Sequence, residues 1–141
     1  MNDPLPAFEM AVAVEPGDID ALGHVNNVTY LRWVQDVAVA HWTAFAPAAD
    51  QANRVWVVLR HEIDYKQPAH LGDQIIARTW VGHATRLRFE RHTELLRASD
   101  RAVLAKALTL WCPIDPATGK PASVSEEVRA RFSVPPAAGA R

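Results

Sequence analysis

Residues 28–45 read VTYLRWVQDVAVAHWTAF and carry the longest regular pattern in the chain. Apolar side chains recur there at steps of three and four residues, which is the spacing of one face of an α-helix. The side chains that define this face are Val28, Leu31, Val34, Ala38, Trp42 and Phe45. Asn26 or Asn27 is a suitable N-cap and Pro47 ends the pattern, so we predict one long helix.

Segments with a repeat of two residues come before and after this helix and predict β-strands. The five predicted strands are 8–14, 55–65, 75–83, 85–96 and 102–111. Ser123 and Glu126 fit a capping box that opens a short last helix ending near Phe132. A run of neighbouring strands with a segregated helix predicts an α+β fold, in which the long helix packs along an antiparallel sheet.

Two of the predicted strands carry specific expectations about their faces. In strand 55–65 we expect Val55, Val57, Leu59, Ile63 and Tyr65 to share the apolar face. In strand 85–96 the arginines at 86 and 88 are expected to project together from the opposite face to the residues at 85, 87 and 89. Those arginines, with the one at 91, are either a solvated strand face or a contact for phosphate groups.

Length and composition restrict the class of protein. The chain has 141 residues with 49% hydrophobic and 22% charged residues, which predicts a single domain over 1–132 and a flexible C-terminal tail over 133–141. A formal net charge of -1 argues against nucleic acid or anionic membranes as partners. One cysteine excludes a disulfide framework, and no signal peptide or membrane span is recognisable, so a cytoplasmic location is expected.

Residues 17–30, GDIDALGHVNNVTY, combine carboxylates, a histidine and two asparagines just before the long helix. Amides in a first helical turn lack intrahelical acceptors and carry partial positive charge, so they can stabilise an oxyanion during acyl transfer. A nearby carboxylate can attack a carbonyl or activate water. The same residue types also serve turns and caps by purely local hydrogen bonds.

The pattern D-x-D-x-x-G-H-V-N-N-x-x-Y-x-x-W, from Asp18 to Trp33, resembles the signature of hotdog-fold acyl-CoA thioesterases, the 4-hydroxybenzoyl-CoA thioesterase-like family. The segments IDYKQPAHLGD (63–73) and DPATGKP (115–121) are similar to later parts of that family, so the resemblance extends over 8–132. It implies a long central helix wrapped by a curved, five-stranded antiparallel sheet. It also implies hydrolysis of an acyl-CoA thioester.

The resemblance also implies roles for single residues. Asp20 matches the catalytic carboxylate, either as nucleophile or as general base. Asn27 matches the position whose backbone N–H polarises the thioester carbonyl, and Gly23 matches the glycine that lets backbone approach the ligand. His24 has a catalytic counterpart in the related plant acyl-ACP thioesterases, although Leu22 stands where those enzymes have an asparagine.

Further expectations concern ligands and assembly. We expect the following residues to contact substrate: Asn26, Tyr30, Thr85, Arg86 and Arg88. Coenzyme A enters only as part of the substrate, and neither a cofactor nor a metal is expected, because no metal-ligand spacing is present. A single helix leaves apolar sheet surface uncovered, so a homodimer or homotetramer is predicted, with sites spanning the subunit interface as the resemblance implies.

Two other functions remain open on sequence grounds. A non-catalytic acyl-CoA-binding hotdog module would need the pocket but not Asp20, and a hydratase would act on an enoyl group without releasing thiol. The acyl group and the choice between coenzyme A and acyl carrier protein are undetermined. Cys112 is interpreted as a small buried hydrophobe, His61 as a hydrogen-bonded core histidine, and Asp36 as a solvated side chain of the helix.

Overall fold

A computed structural model describes residues 7–132, so the predicted tail over 133–141 lies outside the described residues. The helices are α1 (Asn27–Phe45), α2 (Ala48–Asn53) and α3 (Glu126–Phe132). The strands are β1 (Phe8–Ala13), β2 (Val55–Tyr65), β3 (Gln74–Ala84), β4 (Phe89–Arg97), β5 (Val103–Asp115) and β6 (Lys120–Pro121). The long helix and all five predicted strands are therefore present.

The strands form one antiparallel sheet in the order β1-β3-β4-β5-β2, and β6 pairs with the end of β5. The sheet is curled, and α1 packs against β1, β3 and β4. This confirms the expected α+β architecture of a long helix against a curved antiparallel sheet. Within 7–132 no helix is long and apolar enough to cross a membrane.

The core lies between α1 and the sheet. Trp33, Val34 and Val37 on the inner face of α1 are at most 1% exposed, and they meet Ile75 and Leu104 from the sheet. The helix is held to the sheet by apolar burial, which contributes more to the stability of such a helix than intrinsic propensity does. Its N-terminus is thereby fixed relative to the strands.

Asn26 is the N-cap of α1, as one of the two sequence alternatives has it, and its Oδ1 accepts a hydrogen bond from the Val28 amide at 2.9 Å. Replacing Asn26 by alanine removes this acceptor, and we expect a loss of about 1 kcal/mol in the free energy of unfolding. Urea denaturation measures it. Asn27→Ala is the matched control, because the Asn27 side chain makes no hydrogen bond among residues 7–132. Equal losses in the two variants would contradict the capping role.

The expectation that one face of β2 carries five apolar residues is wrong. The pairing of β2 with β5 shifts between Val58 and Arg60, so Leu59 is an extra residue in a bulge. A bulge reverses the alternation of faces along a strand. Val55, Val57 and Leu59 are consequently exposed by 41% to 49%, whereas Ile63, beyond the bulge, packs on the core.

The predicted strand over 85–96 begins too early. Residues 85–88 form the turn between β3 and β4, because Thr85 N donates to Arg88 O at 2.8 Å and Arg88 N donates to Thr85 Oγ1 at 3.2 Å. Arg86 and Arg88 therefore lie in an exposed turn, not on a strand face. Their alternation with apolar residues is the pattern of a strand, but local hydrogen bonds stabilise a turn at these residues instead.

The start of the last helix also differs from the prediction. Ser125 Oγ, not Ser123, accepts a hydrogen bond from the amide three residues on, Val128 N, at 3.2 Å. The Ser123 carbonyl oxygen instead accepts a hydrogen bond from Arg54 Nε at 3.0 Å. Helix α2 and strand β6 were not predicted, because each is too short to display a period.

His41 is a buried polar residue on the inner face of α1, 6% exposed, and its Nδ1 lies 2.9 Å from Arg91 Nη1. Burial, helped by the Arg91 charge, lowers the pKa of His41 to about 3. The imidazole is therefore neutral in the folded chain, while in the unfolded chain it takes up a proton near its ordinary pKa of about 6.5. Acid thus favours the unfolded state as the pH falls from about 6.5 towards 3.

We expect His41→Gln to flatten this pH dependence. The free energy of unfolding should fall between pH 7 and pH 5 by about 1 to 2 kcal/mol more in the wild-type protein than in His41→Gln. Urea denaturation at the two pH values measures the difference. His83→Gln, which changes an exposed histidine, should leave the wild-type slope intact. A slope that the His41 substitution does not change would contradict the prediction.

Candidate active site

The loop before α1 is closed by backbone hydrogen bonds into a compact turn. Asp20 N donates to His24 O at 2.8 Å, Gly23 N donates to Asp20 O at 3.1 Å, and Ile19 and Val25 form an isolated antiparallel bridge. Gly23 has φ +82°, a left-handed conformation that glycine adopts without strain. The glycine therefore allows the chain to reverse between the two aspartates and the helix.

The two aspartates have different surroundings. Asp18 is 5% exposed, and its carboxylate accepts from Glu15 N at 2.9 Å and from Arg32 Nη2 at 3.1 Å, so it ties the loop to α1. Asp20 is half-buried, and its Oδ1 accepts from Leu22 N at 2.9 Å and His24 N at 3.2 Å. Among residues 7–132 no hydrogen bond engages Asp20 Oδ2. The Asp20 carboxylate is thus held in place with one oxygen available.

The first turn of α1 has an available donor beside this loop. Asn26 N donates to Asp18 O at 2.7 Å and Thr29 N donates to Asn26 O at 2.9 Å. The Asn27 amide, at the first helical position, meets no acceptor within the described part of the chain. It carries the partial positive charge of the helix N-terminus and can donate to a ligand oxygen. Sequence analysis expected a donor at this position, and its contact with substrate stays a prediction.

His24 lies on the other side of the turn and is paired with a second histidine. Its ring contacts the His70 ring edge to face, with centroids 5.2 Å apart. His70 N donates to Asp73 Oδ2 at 3.0 Å, which fixes the loop after β2. Neither ring nitrogen of His24 bonds to Asp20 among the described residues. The His24 side chain therefore borders the loop without forming a relay with Asp20.

The loop over 66–73 is the second wall of the site, and two tyrosines anchor it to α1. Tyr30 is 2% exposed; its hydroxyl accepts from Ala69 N at 2.8 Å and donates to Gln67 O at 3.4 Å. Burial raises the pKa of Tyr30. Tyr65 donates to Asn27 O at 3.3 Å, a contact that sequence analysis missed. The expected contact between Tyr30 and substrate stays a prediction.

Thr85, Arg86 and Arg88 lie far from the other candidate residues of the same chain. They follow the last residue of β3, whereas the 66–73 loop precedes its first residue. The 11 residues of β3 separate these positions by roughly 30 Å. Within one copy the structure therefore brings together Asp20, Gly23, His24 and the helix N-terminus at Asn26 and Asn27, and leaves the arginines outside that group.

The remaining reactive side chains do not join this site. Cys112 is 5% exposed on β5, as expected for a small buried hydrophobe. His61 makes the expected hydrogen bond, with Nδ1 2.9 Å from Thr109 Oγ1, but it is half-buried and not in the core as expected. Asp36 is exposed, as expected. Burial lowers the pKa of His61. Across residues 7–132 no three His, Cys, Asp or Glu side chains form a group that could hold a metal ion.

Comparisons with known proteins show the family and the fold of the chain. A family model described as the thioesterase-like superfamily matches residues 14–132. No curated protein matches the chain by sequence. Among solved structures, a thioesterase from Thermus thermophilus complexed with coenzyme A and zinc is 26% identical, covers 89% of this chain and 96% of its own, and has a TM-score of 0.77.

Two further structures share the fold at lower identity. A 1,4-dihydroxy-2-naphthoyl-CoA thioesterase from Synechocystis is 20% identical, with 89% of this chain and 94% of that chain covered and a TM-score of 0.76. A Staphylococcus aureus protein in complex with CoA is 15% identical, with 93% and 85% covered and a TM-score of 0.79. The long helix on a curled antiparallel sheet is thus the hotdog fold.

Proposed function

This chain belongs to the thioesterase-like superfamily, and from that membership we propose that it hydrolyses an acyl-CoA thioester to a free acid and coenzyme A. The observation that carries the proposal is the pairing of a fixed carboxylate with a free helix amide. Asp20 offers an oxygen without a hydrogen bond, and the Asn27 amide seven residues on has no acceptor within 7–132. Structures with coenzyme A bound in the same fold support the class of substrate.

The reaction follows from these two groups. A water oxygen attacks the thioester carbon while Asp20 takes the water proton, and the Asn27 amide donates to the oxyanion that forms. The C–S bond then breaks, and the thiolate leaves with a proton. In the alternative, the Asp20 carboxylate attacks the carbon itself, the C–S bond breaks to release the thiolate, and water then hydrolyses the mixed anhydride to the free acid and the Asp20 carboxylate. Both versions need the charged carboxylate, and neither needs a cofactor or metal because a thiolate is a good leaving group.

In this proposal the other residues of the loop hold the reacting groups in place. Gly23 permits the turn that carries Asp20, and Asn26 caps the helix whose amide is used. His24 orients the loop or assists proton transfer to the thiolate, since its ring borders the turn. Tyr30 holds the 66–73 wall, because its hydroxyl bonds to Ala69 N and Gln67 O.

We propose that the site is completed by a second copy of the chain. Strand β2 is at the edge of the sheet and exposes Val55, Val57 and Leu59. Antiparallel pairing of two β2 strands about their middle would bring the Val55 end of one copy beside Tyr65 of the other. The partner's 85–88 turn then lies on the same side as the Asp20 loop, within reach of coenzyme A. Contacts from Thr85, Arg86 and Arg88 to its phosphates come from that partner.

The test is free-thiol release from a small panel of aromatic, short-chain and medium-chain acyl-CoAs, with acyl carrier protein thioesters beside them. We expect turnover of at least one member, with thiol and acid formed in equal amounts. Binding of an acyl-CoA without any thiol release would overturn the enzyme proposal in favour of a binding module. Loss of an enoyl-CoA chromophore without thiol release would indicate hydration instead.

A further inference from the structure

A second feature lies at the other end of α1. Its last two turns, together with α3 and the sheet, enclose a cavity of about 60 Å³, here called the tryptophan pocket. The walls include Trp42, Trp56, Trp111, Phe89 and Phe132, and the polar side chain that lines it is Arg91. From Asn27 to Trp42 the helix rises about 22 Å, so this pocket is separate from the Asp20 loop of the same copy.

Arg91 is a buried cation without an anion. Arg91 is 7% exposed, and its Nη1 donates to His41 Nδ1 at 2.9 Å and to Thr79 Oγ1 at 3.1 Å. Among residues 7–132 no carboxylate forms a salt bridge with it. Burial lowers the pKa of Arg91 to about 10, so it remains charged at neutral pH. A buried charge of this kind is unfavourable unless a partner compensates it.

Two indole donors of the pocket's tryptophans also lack partners among residues 7–132, although both atoms are too buried to face the cavity. The indole Nε1 atoms of Trp56 and Trp111 are buried and have no hydrogen-bond acceptor within the described part of the chain. A buried N–H without an acceptor is also unfavourable, and native proteins seldom keep one without reason. The pocket thus combines an apolar lining with one cation, and no acidic residue lines it. The chemistry missing from its walls is an anionic acceptor.

We infer that the tryptophan pocket binds a small carboxylate, with its apolar group against the aromatic rings and its oxygens towards Arg91. A guanidinium pairs with a carboxylate through parallel hydrogen bonds, which suits a planar anion. The cavity is smaller than the roughly 150 Å³ that accommodates benzene, so the apolar group has only a few carbons. The ligand is a short-chain organic acid.

Such a carboxylate has two sources. It is a free acid, the same class of molecule as the product of the proposed reaction, or it is the distal carboxylate of an acyl-CoA whose acyl group is a dicarboxylic acid. The second source rests on the proposed function and on entry of the acyl group from the partner's site. Both sources present the same chemistry to Arg91.

Binding is tested by titrating the wild-type protein with butyrate and, separately, with its neutral isostere butyramide, following tryptophan fluorescence. We expect a saturable change with butyrate and at least about tenfold weaker binding of butyramide, because the charge-assisted pair is lost. Equal binding of the two compounds, or no saturation with butyrate at tens of millimolar, would overturn the inference.

Variants then locate the site by calorimetric titration with butyrate. Arg91→Met should abolish binding, while Arg60→Met, which changes an exposed arginine, should leave it unchanged. Arg91→Lys keeps the positive charge but removes the paired guanidinium donors, so it should weaken binding several-fold even if Arg91→Met does not fold. Butyrate binding of wild-type strength in either variant would contradict the assignment.

The source is resolved by comparing kcat/KM for succinyl-CoA and butyryl-CoA, which have acyl chains of equal length. A preference for succinyl-CoA that Arg91→Met removes identifies the distal carboxylate of a substrate. Butyrate binding without such a preference identifies a free acid. If no thioester is hydrolysed at all, the proposed function fails, and the butyrate titration still decides on the pocket.

Discussion

Asp20→Asn is expected to lower the kcat for thioester hydrolysis by at least about 100-fold, the effect of losing a positioned acid–base group or nucleophile. The amide oxygen of asparagine can still accept from Leu22 N and His24 N, so the turn should keep its shape. Only the charge that accepts a proton, or attacks carbon, is removed. Because the proposed contacts with coenzyme A are made by other groups, KM should change little. Thiol release with the best substrate of the panel measures both constants.

Asp36→Asn is the matched control for this variant. It makes the same chemical change on an exposed position of α1, and we expect wild-type kinetics. Acyl-CoA binding should persist in Asp20→Asn, which separates loss of chemistry from loss of the fold. Wild-type turnover in Asp20→Asn would mean that another group activates the water, and the proposed mechanism would be wrong.

Trp33→Ala is expected to lower the free energy of unfolding by about 3 to 5 kcal/mol, because it removes a large side chain from a close-packed core. Trp33 is 1% exposed, and its ring lies 5.7 Å from that of Tyr30. Since single domains are stable by only about 5–15 kcal/mol, this is a large fraction of the total. Urea denaturation at low temperature measures it.

Trp80→Ala is the matched control on the outer face of the sheet. Trp80 is half-buried, stacked on His92 with centroids 5.5 Å apart, and covered by Arg78. Its removal leaves a surface that water can fill, so the loss should be less than half of that in Trp33→Ala. Equal losses would show that α1 is not held to the sheet through Trp33.

The candidate site could be predicted from sequence where its geometry is local. The turn from Asp20 to His24, the positive φ of Gly23 and the cap at Asn26 depend on hydrogen bonds between residues at most four positions apart. Such bonds follow from residue type and spacing, which is why the sequence indicated a turn and a helix cap in this segment. The hydrogen bond from Tyr65 to Asn27 O joins residues 38 positions apart, and no local sequence pattern indicates it.

Arg91 illustrates why the other residues could not be predicted. Arg91 lies two residues after Phe89 and four before Leu95, so the alternation of a strand puts all three on the inner face of β4. The structure buries all three. Sequence analysis grouped it with the neighbouring arginines, because a charged residue is rarely buried. The neutral acceptors that allow burial, on His41 and Thr79, come from other elements.

The sequence by itself determined the order and type of the main elements, the residues of the Asp20 loop and the polarity of the helix end beside it. These depend on period, capping and turn chemistry, which act over a few residues. Only the tertiary structure decided that Leu59 forms a bulge, that residues 85–88 form a turn, and that Arg91 lines a pocket together with three tryptophans. The reason is physical: a side chain's face and neighbours are set by pairing and packing between distant segments, which no local pattern records.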